Sequence, residues 1–355
     1  MRLSPELSTK RIKLLHLIND MSINGGAQRF VMDLVSRTPG NYMIRVVTLD
    51  SINDYSQQIT DLGHECYCWS ELTLSEKLSM MRWPEIVHGH LFPSVYLATL
   101  FRGNKLQTEH ATHNRRRDFP KLKLIEWLMY RRYERVVSIS KQVEEALLTF
   151  LPGCRDKSVV IENGVDLEQF DAAAQSRIKS LSNVRIGMVG RFHPYKDQLA
   201  IIKALALLGE GYEVLFVGDG ELRQMLVTAA RDLGVEEQIR FIGVSDDIPG
   251  FLAGLDIYVQ SSKVEGFGLA AVEAMAAGLP VLASDIPGLR EVVGSSEYLF
   301  SVGDERELAD KISHFNNAES YTRAKEYAGQ RAQLFGIQTF IERYAAVYAE
   351  LAAQG

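Results

Sequence analysis

Several features common in other classes of protein are scarce or missing in this sequence. Its 355 residues contain three cysteines, Cys66, Cys68 and Cys154, too few for a disulfide framework, and the Cys-x-Cys pair has no second pair to complete a zinc site. No apolar run is long enough to span a membrane, and the first one, interrupted by Lys13 and His16, is unlike a signal peptide. The net charge of −6 argues against a general nucleic-acid binder. We therefore expect a cytoplasmic protein with no nucleic-acid partner.

Two ligand-binding motifs are also missing or incomplete. No two aspartates are separated by a single residue, so the Asp-x-Asp pair with which many nucleotide-dependent enzymes hold a metal is absent from the sequence. The turn Gly218-Asp219-Gly220 begins like the dinucleotide-binding fingerprint, but Arg223 occupies the third glycine position and no acidic residue closes a following strand. We expect neither a metal nor another cofactor.

What is present is a regular alternation of short apolar strands and helical stretches. A chain of 355 residues, 46% of them hydrophobic, exceeds what one hydrophobic core usually organises. The predicted strands are 12–18, 44–49, 85–88, 105–109, 136–139 and 159–162 in the first half, and 184–189, 213–217, 239–242, 257–260, 281–283 and 298–300 in the second. This pattern predicts an α/β protein with two doubly wound, Rossmann-like sheets.

The most informative segment lies between two glutamates, Glu265 and Glu273, which are separated by seven residues. A predicted strand ends at Gln260 and an alanine-rich helix begins at Leu269, so Glu265 lies in the turn and Glu273 on the helix. Helical side chains lean toward the N-terminus, and Glu273 therefore points back toward the turn. The two carboxylates can flank one ligand.

The turn between these glutamates can bind an anion. Gly266 and Gly268 lack a Cβ, and the amides of Phe267, Gly268 and Leu269 lie at the positive end of the helix dipole. A phosphate fits the turn, whereas the bare carboxylates would repel it and are better matched to hydroxyl donors. A nucleotide sugar supplies both kinds of group. An ordinary alanine-rich βα unit with two surface glutamates is the alternative.

Two further segments follow predicted strands. Arg191 and Lys196 come directly after the strand 184–189, at the edge where open α/β sheets bind ligands, and such cations can neutralise the charge that develops on a leaving diphosphate. In isolation, they would be interpreted as solvated charges. Asn24-Gly25-Gly26 lies between the strand 12–18 and an amphipathic helix, where adjacent glycines allow close approach of an anion, although such turns often only punctuate loops.

Four histidines lie at the ends of predicted strands. His88 and His90 end one strand, and His110 and His113 follow the next. No acidic residue is spaced to complete a zinc site with them. A neutral imidazole at His90 or His110 could instead donate a hydrogen bond to a sugar hydroxyl, whereas His88 is expected to point into the core.

Together these segments resemble the retaining glycosyltransferases of the GT-B fold, and family 4 in particular, whose hallmark is Glu, seven residues, Glu. The resemblance implies two Rossmann-like domains facing each other across a cleft, with a C-terminal helix that returns to the first domain. The residues implied to bind the nucleotide-sugar donor are Gly25, Gly26, Arg191, Lys196, Glu265, Gly266, Phe267, Gly268, Leu269 and Glu273, with Glu265 on the hexose and Glu273 on the ribose. His90, Arg191, Lys196 and Glu265 would be catalytic, and His110 would serve the acceptor.

The resemblance also implies how the chain is divided. Residues 1–175 would bind the acceptor, residues 176–336 would bind the donor, and residues 337–355 would form the returning helix. The join is predicted in the polar, small-residue stretch 171–183. The implied reaction is metal-independent transfer of a hexose or N-acetylhexosamine, with UDP the commonest carrier in the family, to a saccharide or lipid-linked saccharide in polysaccharide or lipopolysaccharide biosynthesis. A GT-B-fold epimerase, a phosphorylase and a non-catalytic sugar-nucleotide binder are the alternatives.

One region of this acidic chain is basic. Between Arg115 and Arg135 there are eight basic and three acidic residues, interleaved with aromatic ones. A basic, aromatic-rich helix could rest on an anionic membrane, on the inner face of the cytoplasmic membrane, and the acceptor would then be lipid-linked. The alternative is a solvated helix face with a tryptophan packed in the core.

Overall fold

The chain forms two compact units. The computed structural model describes residues 11–23, 25–112, 114–170 and 183–354. One unit comprises Met1–Glu162 together with Phe340–Gly355, and the other comprises Asn163–Thr339. The predicted join at 171–183 lies outside the described residues except for its last position. The chain thus leaves the first unit once and returns to it at its end.

The first unit is built on a parallel sheet of seven strands in the order β3-β2-β1-β4-β5-β6-β7. The strands are β1 Ile12–Ile18, β2 Tyr42–Thr48, β3 Glu65–Cys68, β4 Ile86–His90, β5 Asn104–Glu109, β6 Arg135–Ser138 and β7 Ser158–Val160. The helices are α1 Gly26–Arg37, α2 Ser56–Asp61, α3 Leu74–Arg82, α4 Ser94–Ala98, α5 Lys123–Tyr130 and α6 Lys141–Phe150. Leu14 of β1 lies opposite Ile44 on one side and Ile86 on the other, so the strand order reverses between β1 and β4.

The second unit repeats this arrangement with six parallel strands in the order β10-β9-β8-β11-β12-β13. The strands are β8 Val184–Val189, β9 Tyr212–Val217, β10 Ile239–Gly243, β11 Ile257–Gln260, β12 Val281–Ser284 and β13 Leu299–Phe300. The helices are α7 Gln198–Leu208, α8 Arg223–Asp232, α9 Ile248–Ala253, α10 Leu269–Ala276, α11 Pro287–Val293, α12 Glu305–His314 and α13 Ala318–Ala332. Here the order reverses between β8 and β11, and open α/β sheets bind ligands at such a reversal.

The last helix, α14 (Ile337–Ala353), belongs to the first unit from Phe340 onward. Its apolar residues recur at helical spacing, and Tyr344 and Tyr348 are completely buried. The Tyr348 hydroxyl lies 2.8 Å from Nδ1 of His88, and the Tyr344 hydroxyl lies 3.1 Å from the Thr108 hydroxyl. The predicted return of this helix is confirmed.

The predicted fold class, two Rossmann-like α/β domains, is also confirmed, and every predicted strand overlaps an observed one. One strand, β3, was not predicted. Glu65-Cys66-Tyr67-Cys68 lacks the run of buried aliphatic residues found in the inner strands because β3 lies at the edge of its sheet, where less of each side chain is covered. The three cysteines are free thiols.

The basic segment between Arg115 and Arg135 is not one continuous helix. Two short 3₁₀ turns, Arg115–Asp118 and Pro120–Leu122, precede the eight-residue helix α5. Arg116 pairs with Glu126, and Arg117 pairs with Glu109, each at 3.0 Å and with little exposure of either side chain. Trp127 is 41% exposed, so the alternative in which this tryptophan packs in the core is wrong. Within the described ranges, no helix combines the length and the hydropathy needed to cross a bilayer.

Candidate functional site

Two loops meet at the strand reversal of the second unit. The loop after β8 carries Lys196, the loop after β11 carries Glu265, and the two side chains form an ion pair. The backbones are joined as well, because the amide of Asp197 donates to the carbonyl of Ser261 at 3.0 Å and Lys196 forms an isolated antiparallel bridge with Ser262. Two predicted site residues 69 positions apart are thus brought together.

Side chains at the end of β11 support the Glu265 carboxylate. The Gln260 amide nitrogen lies 3.4 Å from Oε2 of Glu265, and the Ser262 hydroxyl lies 3.5 Å from the same atom. The amide oxygen of Gln260 in turn accepts a hydrogen bond of 2.7 Å from the hydroxyl of Tyr258. All three supporting residues are fully buried. Sequence reasoning missed them, although a glutamine that ends an apolar strand was the available signal.

The second motif glutamate, Glu273, lies on α10 with only 3% of its surface exposed. Burial raises the pKa of Tyr258 well above its usual range, and the nearby carboxylates of Glu273 and Glu265 raise it further. Both motif glutamates therefore act on one buried tyrosine. That the two carboxylates flank one ligand stays a prediction.

The glycine turn before α10 has the geometry of an anion site. Gly268 has a φ of 100°, and a Cβ there would lie 2.5 Å from Cδ2 of Leu289. The helix that starts at Leu269 has no side-chain cap, and the Ala271 amide donates to the carbonyl of Gly268 at 2.9 Å, so the amides that can face a ligand are those before Ala271. Gly266, Gly268 and Ala271 also show the Gly-x-Gly-x-x-Ala spacing of a phosphate-binding turn, a signal that the sequence analysis overlooked.

The Arg191 loop rests on the Gly218–Gly220 turn. The amide of Gly190 donates to the carbonyl of Val217 at 2.9 Å, and that of Phe192 donates to the carbonyl of Asp219 at 3.0 Å. A Cβ at Gly218 would collide with the carbonyl oxygen of Gly190. The turn therefore packs against the cation-bearing loop, and Arg191 itself is exposed to solvent. This close approach gives the glycine pair a structural role.

In the first unit, helix α1 also begins without a side-chain cap. Gly25 occupies the cap position, and a Cβ there would collide with the side chain of Gln28, whose amide nitrogen donates to Oδ1 of Asp20 at 2.8 Å. Nothing lies within 4 Å of the corresponding position at Gly26. Asn24 lies outside the described residues. Gly25 thus makes room for the Gln28 side chain and Gly26 leaves open space beside the start of α1, and the donor contact of the two glycines stays a prediction.

Three histidines of the first unit form a chain of close contacts. His16 Nδ1 lies 3.1 Å from His90 Nε2, and His90 Nδ1 lies 3.4 Å from His110 Nε2. Burial lowers the pKa of His16 to about 3 and that of His110 to about 4. Burial and the neighbouring histidines lower the pKa of His90 well below its usual range. The rings are therefore neutral at physiological pH, and the sugar contact proposed for His90 stays a prediction.

Another histidine of the first unit, His88, points into the core. Its Nδ1 faces the Tyr348 hydroxyl and its Nε2 lies 2.7 Å from the Thr108 hydroxyl. Nitrogen atoms of His16, His88 and His90 lie within 4.8 Å of one another, a spacing compatible with a metal. However, protein groups already contact both ring nitrogens of His88 and of His90, so the set is not prepared for a cation. His113 lies outside the described residues.

His110 lines a pocket of about 370 Å³ at the carboxyl ends of β4 and β5. Its wall combines an aromatic ring with hydrogen-bonding groups, including those of Asn19, Phe92, Glu109, Asn114 and Arg116. The Glu109 carboxylate is fixed by Arg117 and by the hydroxyl of Tyr130. Such a mixture of a ring face and fixed polar groups suits a saccharide.

Comparison with known proteins assigns the class. Residues 171–331 match the family Glycosyl transferases group 1, and residues 24–169 match Glycosyltransferase Family 4. The chain also superposes on HepE from Anabaena with a TM-score of 0.84 and 20% identity, covering 96% of this chain and 100% of HepE. These matches place the chain among the glycosyltransferases of the GT-B fold.

Individual relatives are similar to this chain over much of its length. The chain is 26% identical over 313 residues to the putative glycosyltransferase EpsF of Bacillus subtilis, covering 79% of this chain and 80% of EpsF. It is 27% identical over 236 residues to AmsK, an amylovoran biosynthesis glycosyltransferase of Erwinia amylovora, covering 62% of this chain and 55% of AmsK. For other curated relatives that it matches, the chain spans about half their length.

Proposed function

We propose that this chain transfers a hexose or N-acetylhexosamine from a nucleotide sugar, with retention of the anomeric configuration. The observation that carries the proposal is the pairing of Lys196 with Glu265 at the strand reversal, beside the uncapped start of α10. A cation, a carboxylate and free amides then lie where a diphosphate and its sugar would sit. UDP is the proposed carrier, and HepE was solved with UDP and glucose.

Each group has a distinct proposed role. The amides at the start of α10 bind the diphosphate together with Arg191 and Lys196, and Gly25 and Gly26 are the donor-binding residues proposed in the first unit. Glu273 accepts hydrogen bonds from the ribose hydroxyls, and Glu265 accepts them from the hexose. The ion pair holds Lys196 and Glu265 in place, which limits reorganisation during the reaction.

The proposed mechanism is front-face attack. The bond between the anomeric carbon and the β-phosphate oxygen breaks, an acceptor hydroxyl oxygen forms the new bond on the same face, and the departing phosphate takes the hydroxyl proton. Lys196 and Arg191 stabilise the charge that the leaving nucleoside diphosphate gains, so no metal is needed. His90 is proposed to act through His110, whose Nε2 lies 3.4 Å from Nδ1 of His90.

The acceptor is proposed to be a saccharide or lipid-linked saccharide of a cell-surface polysaccharide or lipopolysaccharide, assembled in the cytoplasm. The pocket beside His110 is its proposed site, since it offers a ring face and fixed hydrogen-bonding groups. The name of AmsK refers to the biosynthesis of one polysaccharide, amylovoran, which supports this class of acceptor.

A thermal-shift panel tests donor binding first. Unfolding midpoints would be measured in EDTA with UDP, GDP, ADP, their sugar conjugates and NAD, because a ligand that binds only the folded state raises the midpoint. We expect a rise with one nucleoside diphosphate and its sugar, undiminished by EDTA. A rise with NAD alone would contradict the proposal. Product analysis then separates transfer from epimerisation, which needs no acceptor, and from phosphorolysis, which needs inorganic phosphate.

A further inference from the structure

Helix α5 is fixed to the first unit by one face. Glu126, Met129 and Tyr130 are buried, and they recur at the spacing of a single helical stripe. Glu126 is paired with Arg116 at 3.0 Å and accepts a hydrogen bond from the hydroxyl of Tyr96. The helix therefore cannot turn about its axis, and its opposite face is held outward.

That outward face is apolar. Leu124 is 63% exposed and Leu128 is 52% exposed, one turn apart, with Ile125 and Trp127 on either side of them. Phe119, in the preceding segment, is exposed as well. The outward face of a helix on a soluble domain is normally polar or charged, and a cluster of exposed large apolar side chains marks an interaction surface.

Cations surround this apolar face. Lys121 and Lys123 precede it, Arg131 and Arg132 follow it, and all four are exposed. The guanidinium of Arg131 lies 4.5 Å from the centre of the Trp127 ring, which holds it beside the face. The helix contains one carboxylate, Glu126, and that residue is buried on the opposite side. The surface thus presents apolar and positive groups together.

We propose that the outward face of α5 binds an anionic lipid bilayer. The helix would lie in the plane of the membrane, with Leu124, Leu128 and Trp127 entering the boundary between headgroups and acyl chains, and the four cations contacting lipid phosphates. A protein partner would have to match an apolar centre ringed by charge of one sign, whereas a bilayer of anionic lipids supplies both features everywhere on its surface. This surface excludes Arg116 and Arg117, which are occupied inside the unit.

Vesicle sedimentation of the full-length protein tests the proposal. Vesicles of phosphatidylcholine alone would be compared with vesicles in which half of the lipid is phosphatidylglycerol. We expect binding to the anionic vesicles that weakens as salt is added, and a blue shift of tryptophan emission on binding. The Trp127→Phe variant should lose the blue shift and still bind, which places the helix face itself at the lipid.

Three double variants separate the contributions of the apolar side chains and of the cations to vesicle binding. Leu124→Gln with Leu128→Gln should weaken binding at least about tenfold, because apolar area no longer leaves water. Lys121→Gln with Arg132→Gln should weaken binding to anionic vesicles about 25-fold, at about fivefold for each charge, and leave neutral vesicles unaffected. The matched control is Leu74→Gln with Leu100→Gln, two leucines of the same unit that are 75% and 64% exposed, and it should bind normally.

Two results would overturn the proposal. Absence of binding to both kinds of vesicle would do so, and so would a dimer in vesicle-free solution that dissociates in the leucine variant, since a second copy would then cover the face. The shift of the unfolding midpoint with UDP, measured in the same variants, tests donor binding independently of vesicle binding. A chain that still binds UDP but not vesicles leaves that activity standing.

Discussion

Lys196 is the residue on which the proposed chemistry depends most. Its ammonium group pairs with Glu265 and would face the departing phosphate. We expect Lys196→Ala to lower kcat about 10²- to 10³-fold, the usual effect of removing one group that stabilises developing charge. Initial rates with saturating donor would measure it, and the free energy of unfolding should change little because the ammonium is not in a core.

A second lysine provides the control. Lys203 donates to Glu305 at 2.8 Å within the same unit, on the outer surface of α7. Lys203→Ala therefore removes an ion pair of the same chemical type away from the strand reversal, and full activity is expected. Equal losses in both variants would show that the effect of Lys196→Ala is not local to the site.

Glu273 should control donor affinity rather than transfer. Its carboxylate is buried and proposed to accept hydrogen bonds from the ribose, and charged hydrogen bonds of this kind contribute about 1.5–3 kcal/mol. We expect Glu273→Gln to weaken UDP binding about tenfold to a hundredfold, and Glu273→Ala to weaken it more, with both variants folded. Calorimetric titration with UDP measures this. A variant that binds UDP normally would remove Glu273 from the proposed site.

At the scale of single residues, sequence patterns identified charged side chains in the loops that follow strands, and they missed the buried side chains that hydrogen-bond to them. Glu265 and Lys196 were predictable because each follows an apolar strand, where ligands bind. Gln260 and Tyr258 were not, since a polar side chain inside a strand gives no indication of which carboxylate it will contact. His16 was missed for the same reason, because only the register of β1 with β4 brings it to His88 and His90.

Among the elements, the turn that leads into α10 gives the clearest prediction for stability. Gly268→Ala should cost about 1 kcal/mol for the left-handed backbone and about 1–3 kcal/mol more for the clash with Leu289. Urea unfolding measures the sum of these two losses as a decrease in the free energy of unfolding. Gly303→Ala is the matched control, since Gly303 also has a positive φ but nothing lies within 4 Å of its would-be Cβ.

A second substitution distinguishes the clash from the backbone strain. Gly268→Ala should also weaken UDP binding by displacing the turn, and adding Leu289→Ala, which makes room for the new Cβ, should restore part of that affinity. If affinity stays low in the double variant, the left-handed conformation itself, rather than the displaced turn, is what the diphosphate requires.

Element by element, inner strands were the most predictable feature and the basic segment the least. The inner strands are covered on both faces and show as continuous apolar runs. In the basic segment, charge density predicted a single exposed helix, whereas burial of Arg116 and Arg117 against Glu126 and Glu109 breaks it into short turns. Such pairings join side chains of different elements, and composition alone does not reveal them.

For the molecule as a whole, the buried histidines predict acid sensitivity of the first unit. The pKa of a histidine in the unfolded chain is near 6.5, whereas burial lowers the pKa of His16 to about 3 and that of His110 to about 4. Between these values the unfolded chain binds more protons, so the free energy of unfolding falls as pH drops below 6.5, by about 1.4 kcal/mol per pH unit for each histidine. Above 6.5 this contribution to stability is fully present.

The tryptophans make this prediction measurable. Trp69, Trp83 and Trp127 all belong to the first unit, so their fluorescence follows its unfolding, while far-ultraviolet circular dichroism follows both units. We expect the fluorescence transition in urea to move to lower denaturant at pH 5 than at pH 7, ahead of the dichroism transition. His16→Asn should reduce the pH dependence by about one proton, and coincident transitions at both pH values would contradict the prediction.

The return of α14 to the first unit has a consequence for synthesis. A ribosome completes the entire second unit before it makes Tyr344 and Tyr348, whose hydroxyls contact Thr108 and His88 in the interior of the first. Until then, the apolar surface that α14 covers is exposed in the nascent first unit, and His88 and Thr108 lack these partners. The half that is translated first is therefore the half that finishes folding last, and chaperones would encounter this chain through its N-terminal sheet.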